Sequence, residues 1–326
     1  MKDILERFSV IGIIGLAKNA GKTTTLNKII EIYPNIKIGL TSIGLDGEPL
    51  DQVHFFAKPE VKVRPGMLIA TTYSCLESSE VKWELIEKTS HQTPLGVVMI
   101  VEIMTEGKMM IAGPSTNQEL NQVVHVMKKH CDKVLIDGAF NRLTFSNIDV
   151  MEGIVLAAGA SFHPDLDVTL KQTSDLIRLF SSKKTLFMIK PDVGIALYKD
   201  QHMMYRAEKK LENLEALIEQ SNHQFDAIYI GGAVTSKMID AIIQKGMKSF
   251  VLIMDDPSKW MASQRHMRAL NSLDIHIEVI KSYPIIMVTI NPFRIDGHHY
   301  DASIMMQRFE KEINIPIFNV KGETSV

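Results

Sequence analysis

The sequence has little that would place the chain in a membrane or outside the cell. Only two of its 326 residues are cysteine, Cys75 and Cys131, and they form no closely spaced pair. A disulfide framework and a structural zinc site are therefore not expected. No apolar run reaches the roughly 18 residues that a membrane-spanning helix needs, and the first residues lack the apolar core of a signal peptide. We therefore expect a cytoplasmic chain with no membrane partner.

The sequence also has little net charge, with a formal value of −2. A strongly basic chain would indicate nucleic acid as a partner, and no such partner is expected here. The composition is 45% hydrophobic and 23% charged, which is typical of a folded globular protein rather than a disordered one. The length suits one large domain or two ordinary ones.

Short apolar runs alternate with amphipathic stretches along most of the chain, a pattern typical of an α/β fold. We predict a mostly parallel, twisted sheet flanked by helices, with a second α/β region in the C-terminal half. The predicted division places a nucleotide-binding region at 1–165 and the C-terminal region at 166–326. The second region could also continue the first sheet.

Several individual elements follow from the hydrophobic periodicity. The run Ser9–Ile14 predicts a buried strand, and Thr23–Ile32 predicts the helix after it. A hairpin is predicted where 97–103 and 108–112 flank Glu106 and Gly107. In the second half we predict a strand at 185–189 and a helix at 201–219.

The most informative segment is Gly15-Leu16-Ala17-Lys18-Asn19-Ala20-Gly21-Lys22-Thr23-Thr24. A predicted strand precedes it and a predicted helix follows, which is the context of a phosphate-binding loop. Backbone amides of such a loop and of the helix start point at the phosphates. Gly21 would let the backbone approach them closely, and Lys22 would supply positive charge. The predicted nucleotide-binding residues are Gly15, Lys18, Asn19, Ala20, Gly21, Lys22, Thr23, Thr24 and Asn291.

The loop departs from the common phosphate-loop pattern, which has four residues between its first glycine and Gly-Lys. Five residues separate Gly15 from Gly21 here. This longer spacing resembles the dethiobiotin-synthetase-like P-loop proteins, whose branch includes relatives of MinD, the nitrogenase iron protein and cobyric acid synthase. Members of that branch often carry a further lysine early in the loop that acts across a homodimer. Lys18 lies one place from that position.

A metal-binding role is predicted for Thr23, Asp137 and Asp46. A magnesium ion on the phosphates needs a hydroxyl from the start of the helix and a carboxylate at the end of a nearby strand. Thr23 supplies the first, and Asp137 closes the apolar run 134–136. The resemblance suggests a further acid in the turn at 44–51, for which Asp46 is the candidate; Glu48, Asp51 and an ordinary solvated turn are the alternatives. Lys22, Asp46 and Asp137 are the predicted catalytic residues.

Two short segments are candidates for contacts with the base. The stretch Ile189-Lys190-Pro191-Asp192 is an incomplete match to the guanine-reading pattern, because it lacks the leading polar residue. Asn291 and Pro292 follow a predicted strand and could approach a base or simply end that strand. ATP is favoured over GTP through the family resemblance alone.

A narrower resemblance is carried by five segments, the loop itself, 41–48, Ala112-Gly113-Pro114-Ser115, 136–140 and 153–162. Together they are similar to the ATPase-type subunit of the reactivating factor for adenosylcobalamin-dependent lysine 5,6-aminomutase, an enzyme of lysine fermentation. The resemblance implies a chaperone that uses ATP and Mg²⁺ to release damaged cofactor from the aminomutase. It also implies a second, MutS-like subunit as partner.

Two other functions remain open at this level. One is a ligase of the dethiobiotin-synthetase type, in which ATP activates a small carboxylate. The other is a partner protein that senses a nucleotide without hydrolysing it.

Overall fold

The computed structural model describes residues 1–43, 60–138, 151–189, 194–294 and 297–321. Contacts divide the chain into two compact units. The first contains Met1–Ser174 together with Pro284–Val326, and the second is Asp175–Tyr283. The sequence-based division at 165/166 places all later residues in one C-terminal region. The chain instead returns to the first unit after Tyr283, because its last strands pair with strands from the first half.

Helices and strands alternate over most of the described chain. The helices are α1 (Lys2–Leu5), α2 (Lys22–Ile32), α3 (Tyr73–Glu77), α4 (Asn117–Met127), α5 (Leu166–Phe180), α6 (Leu211–Gln220), α7 (Ser236–Gln244), α8 (Gln264–Ser272) and α9 (Ala302–Glu312). The strands are β1 (Val10–Gly15), β2 (Ile38–Ser42), β3 (Val61–Val63), β4 (Leu68–Thr72), β5 (Trp83–Thr93), β6 (Gly96–Ile103), β7 (Gly107–Met109), β8 (Lys133–Asp137), β9 (Gly153–Gly159), β10 (Lys183–Lys184), β11 (Ile195–Lys199), β12 (His202–Ala207), β13 (Ala227–Ile230), β14 (Val234–Thr235), β15 (Val251–Met254), β16 (Trp260–Met261), β17 (His276–Val279), β18 (Ile285–Asn291) and β19 (Ile317–Asn319).

The first unit is built on a nine-stranded sheet in the order β19-β18-β9-β1-β8-β2-β4-β6-β5. The pairings from β19 through to β4 are parallel. The pairs β4–β6 and β6–β5 are antiparallel. The predicted α/β class is confirmed, with a sheet that is mixed rather than uniform.

Strand β1 and helix α2 form the part of this unit that positions the candidate site. Every residue of β1 is buried, as expected for a strand that has parallel neighbours on both sides and both faces covered. The buried face of α2 carries Leu26, Ile29 and Ile30, which recur at helical spacing. The same core includes Leu40 of β2 and Leu135 of β8.

The second unit has its own six-stranded sheet in the order β10-β17-β15-β13-β11-β12. Strands β13, β15 and β17 pair in parallel, whereas β11 is antiparallel to both of its neighbours. Apolar side chains from α6, α7 and α8 form a core with this sheet. None of the described helices combines the length and apolar character needed to cross a membrane.

Three predicted elements differ from the structure. The hairpin expected at 97–103 and 108–112 is wrong, because β6 pairs with β4 and β5 while β7 pairs with β3. The first part of the helix expected at 201–219 is strand β12, and the helix begins only at Leu211. No strand covers the described residues 185–189.

Candidate functional site

The loop between β1 and α2 lies at the carboxyl edge of the first sheet. Parallel strands β8 and β9 flank β1, with Ile13 opposite Asp137 and Gly15 opposite Ala157. The ends of these strands therefore meet at one edge, and the loop 16–21 leaves the sheet at that edge. This placement agrees with the strand–loop–helix context expected from the sequence.

Strand β1 is also the point at which the strand order changes direction. In this sheet β8, β2, β4, β6 and β5 lie on one side of β1, whereas β9, β18 and β19 lie on the other. In open α/β sheets, ligands bind outside the carboxyl ends of the strands at such a switch point. The topology thus selects the same place as the sequence motif.

Two residues of the loop have left-handed backbone conformations. Gly21 has φ of 103° and Asn19 has φ of 64°. Glycine reaches this region without a steric cost, and asparagine is among the few other residues that tolerate it. Anion-binding backbone nests also combine left-handed and right-handed residues in succession.

Gly15 leaves room for the side chain of Lys22. A Cβ placed on Gly15 would lie 2.8 Å from Lys22 Cγ, which is too close for a real contact. The stem of Lys22 therefore passes directly over the end of β1. The spacing of the two residues in the motif has a steric reason, since any larger residue at position 15 would displace the lysine.

Several backbone amides of the segment have no acceptor within the described chain. Lys22, Thr23 and Thr24 are the first residues of α2, whose amides have no intrahelical acceptor, whereas the Thr25 amide donates to the Gly21 carbonyl at 2.8 Å. Two other amides are occupied. The Leu16 amide donates to the Ala157 carbonyl at 3.1 Å, and the Ala20 amide donates to the Ala17 carbonyl at 3.3 Å.

The polar side chains of the loop differ in exposure. Lys18 and Asn19 are exposed, while Lys22, Thr23 and Thr24 are half-buried. Within the described ranges, no carboxylate forms an ion pair with the Lys22 ammonium. The predicted binding residues from Gly15 to Thr24 therefore lie together at the sheet edge, with Gly15, Ala20 and Gly21 buried and Lys22 as a half-buried cation.

Asp137 ends β8 beside the loop. It lies between two parallel neighbours, opposite Ile13 of β1 and Ser42 of β2. Its main-chain carbonyl accepts a hydrogen bond from the Ile43 amide at 3.0 Å. The side chain is half-buried at the edge where the metal-binding carboxylate was expected.

The other predicted acid and the guanine-like segment cannot be placed. Asp46 lies outside the described residues, as do Lys190 and Asp192. Among the described residues, no group of three or more His, Cys, Asp or Glu side chains is arranged to hold a metal ion.

Asn291 lies against the loop 16–21 from the far side of β9. A Cβ on Gly21 would lie 2.9 Å from Asn291 Cβ and 3.4 Å from its Nδ2. The side chain is buried, and its Oδ1 accepts a hydrogen bond from the Phe293 amide at 3.3 Å. The structure therefore brings Asn291 to the loop, where it contacts the glycine backbone.

Sequence reasoning missed three residues that contact the segment or Thr25, the residue after it. They are Gly159 at the end of β9, Ser161 just after it, and Thr289 of β18. Ser161 Oγ donates to the Asn19 carbonyl at 2.9 Å, and the hydroxyls of Thr25 and Thr289 share a buried hydrogen bond of 2.6 Å. No local pattern indicates these contacts, because the partners are more than 130 positions apart in the chain.

No protein-family model, curated protein or solved structure matches the chain. The chemistry of the site is therefore inferred from its own residues.

Proposed function

We propose that this chain is a P-loop ATPase that binds ATP with Mg²⁺ at the segment Gly15–Thr24. The observation that carries the proposal is the arrangement at the end of β1: the Lys22 stem crosses Gly15, and amides at the start of α2 have no acceptor within the described chain. An ammonium and a set of converging amides suit a polyanion such as a triphosphate tail.

The residues of the loop have separate roles in this proposal. The amides of Gly21 to Thr24 would hold phosphate oxygens, and the Lys22 ammonium would neutralise the charge that develops during transfer. Lys18 and Asn19 lie on the exposed side of the loop and would contact the outer part of the nucleotide. Asn291, buried against Gly21, would support the loop close to the base.

The residues also suit a magnesium ion bound with the nucleotide. Mg²⁺ in phosphate sites is usually held by one or two carboxylates, the phosphates and water, so a three-residue protein cluster is not required. Thr23 in the first turn of α2 would supply a hydroxyl and Asp137 a carboxylate. When bound, the ion would offset negative charge on the phosphates. Asp46 remains a candidate for the same role.

We further propose that the ATPase acts as a reactivating chaperone subunit for an adenosylcobalamin-dependent aminomutase such as lysine 5,6-aminomutase. The support is the resemblance carried by the loop, 41–48, 112–115, 136–140 and 153–162. The expected partners are a MutS-like subunit and the aminomutase. Nucleotide-dependent ordering of loops would drive the exchange, limited by the free-energy difference between the ATP and ADP states.

The first test is a comparison of ATP binding by the Lys22→Ala and Lys28→Ala variants. Both lysines lie on α2, but Lys28 forms a surface ion pair with Glu31 at 3.7 Å, which contributes little. Lys22→Ala should weaken Mg-ATP binding about 100-fold, because it removes charge-assisted contacts to phosphate. Lys28→Ala should bind like the unsubstituted protein in isothermal titration calorimetry.

Measurements of ATP hydrolysis beside this binding titration separate the alternatives. Equal affinities in the two variants would remove the central assignment. Tight ATP binding without hydrolysis, alone or with the aminomutase complex, would indicate a nucleotide sensor. Turnover that requires one small carboxylic acid would indicate a ligase. A titration with GTP in parallel decides the base.

A further inference from the structure

The loop contains one residue more than the common phosphate-loop pattern, and this extra length has to be held in place. Five residues separate Gly15 from Gly21, against four in the common pattern. A longer loop has more backbone conformations to lose when it binds a ligand, which lowers affinity unless the protein fixes the loop beforehand. The structure shows which residues could supply that support.

The support comes from the segment that follows β9. Ser161 Oγ donates a hydrogen bond to the Asn19 carbonyl at 2.9 Å. A Cβ on Gly159 would lie 2.7 Å from the Ala20 carbonyl oxygen and 3.1 Å from its carbon. The oxygen is the nearer atom, so the Ala20 carbonyl is tilted toward Gly159. Two consecutive peptide groups of the loop thus face this segment with their carbonyls.

Peptide geometry converts these contacts into amide directions. In a planar trans peptide the C=O of one residue and the N–H of the next point in opposite directions. Because the Asn19 carbonyl faces Ser161, the Ala20 amide faces away from it and donates to the Ala17 carbonyl at 3.3 Å. Because the Ala20 carbonyl leans on Gly159, the Gly21 amide leans away from β9, toward the inside of the loop.

The supporting segment is itself anchored at both ends. The Ala160 amide donates to the Asn291 carbonyl at 2.9 Å, and the Phe162 amide donates to the Gly159 carbonyl at 3.0 Å. The Tyr300 hydroxyl donates to the His163 carbonyl and shares a 3.0 Å hydrogen bond with the Thr169 hydroxyl. A fixed segment can impose its geometry on the loop, whereas a free one could not.

We propose that Gly159 and Ser161 are positioning residues of the phosphate loop. They set the orientation of the Asn19–Ala20 and Ala20–Gly21 peptides and so aim the Gly21 amide at the triphosphate. This inference rests on the proposed nucleotide binding at Gly15–Thr24. It extends that function to two residues outside the motif and accounts for the stability of a loop with an additional residue.

The test uses the full chain with Ser161→Ala, Ser161→Thr and Ser272→Ala. Ser272 is a control, since its hydroxyl also donates to a main-chain carbonyl, that of Ala269 at 2.8 Å, but in the second unit. Mg-ATP affinity should fall about tenfold in Ser161→Ala and recover in Ser161→Thr, which keeps the hydroxyl. The melting temperature of Ser161→Ala should fall no further than that of the Ser272 control.

Gly159→Ala provides a second measurement. Its new Cβ would meet a backbone oxygen of the loop, so the Ala20–Gly21 peptide must shift, and Mg-ATP affinity should fall by at least as much as in Ser161→Ala. If the unsubstituted protein binds ATP but neither variant changes the affinity, the positioning role is refuted and the proposed function stands. If the unsubstituted protein binds no nucleotide, the positioning role and the proposed function are both refuted.

Discussion

Asp256 is the most deeply buried carboxylate of the described residues and lies at the end of β15. Its side chain is inaccessible to solvent, and Oδ1 accepts hydrogen bonds from the amide and hydroxyl of Ser258. Oδ2 has no hydrogen-bond partner in the described chain. Burial raises the pKa of Asp256 above its ordinary value of 3.8, against the opposing effect of the Ser258 hydrogen bonds. The ionised form is therefore costly in the folded state.

The substitution Asp256→Asn should stabilise the protein at neutral pH. The folded state holds the proton more tightly than the unfolded state, so the free energy of unfolding decreases as pH rises from 3.8 to the raised pKa. Asparagine keeps an oxygen for Ser258 and carries no charge. We expect a gain of about 1 kcal/mol at pH 7 that disappears below pH 3.8, measured by urea denaturation over a pH series.

Asp274→Asn is the matched control for that experiment. Asp274 is exposed, and its carboxylate forms a surface contact with His276 at 3.3 Å, so its substitution should change stability by less than about 0.5 kcal/mol. A loss of stability in Asp256→Asn at pH 7, with no change in the control, would contradict the assignment of Asp256 as a destabilising buried charge.

At the scale of elements, a buried pair of hydroxyls joins helix α2 to strand β18. Thr25 and Thr289 are both buried, and their oxygens are 2.6 Å apart. β18 reaches this position by pairing with β9, which pairs with β1. The pair therefore links the helix that begins the candidate site to a strand from the end of the chain.

Replacing one member of this hydroxyl pair should lower the free energy of unfolding more than replacing both. Thr289→Val leaves the Thr25 hydroxyl buried without its partner, which should destabilise the protein by about 1–3 kcal/mol. The double variant Thr25→Val with Thr289→Val should recover most of that loss, because two apolar side chains of the same shape need no hydrogen bond. Urea denaturation of the two single variants and the double variant measures the coupling; strictly additive losses would contradict it.

The elements that the sequence predicted best are those whose pattern is local. β1 and α2 were recognisable because β1 is an unbroken apolar run and Leu26, Ile29 and Ile30 recur at helical spacing. The sequence pattern predicts a helix across His202–Ala207, which is a strand. The exposed and half-buried residues of that strand alternate without a clear apolar face. The hairpin predicted at 97–112 is wrong because the prediction pairs segments that are neighbours in the sequence, whereas β7 pairs with β3.

At the scale of the whole molecule, the first unit is discontinuous in sequence and the second is not. The second unit has a sheet and core formed within Asp175–Tyr283. The first unit needs Pro284–Val326 to complete its sheet, because six of the seven residues of β18 are buried and pair with β9. Without them, β9 would present an open apolar edge.

The fragment Asp175–Tyr283 should therefore fold alone, while 1–165 should not. We expect a cooperative urea transition with mixed α/β circular dichroism for the former. The fragment 1–165 should aggregate or lack a cooperative transition, because its sheet ends at β9, a strand that is buried in the full chain and has no partner on that side in the fragment. The fragment 166–326, which follows the sequence-based boundary, should be less stable than Asp175–Tyr283, because β18 keeps its pairing with β19 but loses β9. Cooperative unfolding of 1–165 would refute the need for the returning strands.

Residue types at short, regular spacings were enough to predict strand β1, helix α2 and the α/β class, and they single out Gly15–Thr24 as the candidate phosphate loop. The tertiary structure decided that β8 and β9 flank β1, that Pro284–Val326 returns to the first unit, and that Gly159, Ser161 and Asn291 meet the loop. Parallel pairing joins strands far apart in the chain, so side chains separated by more than a hundred positions become neighbours only when the sheet forms.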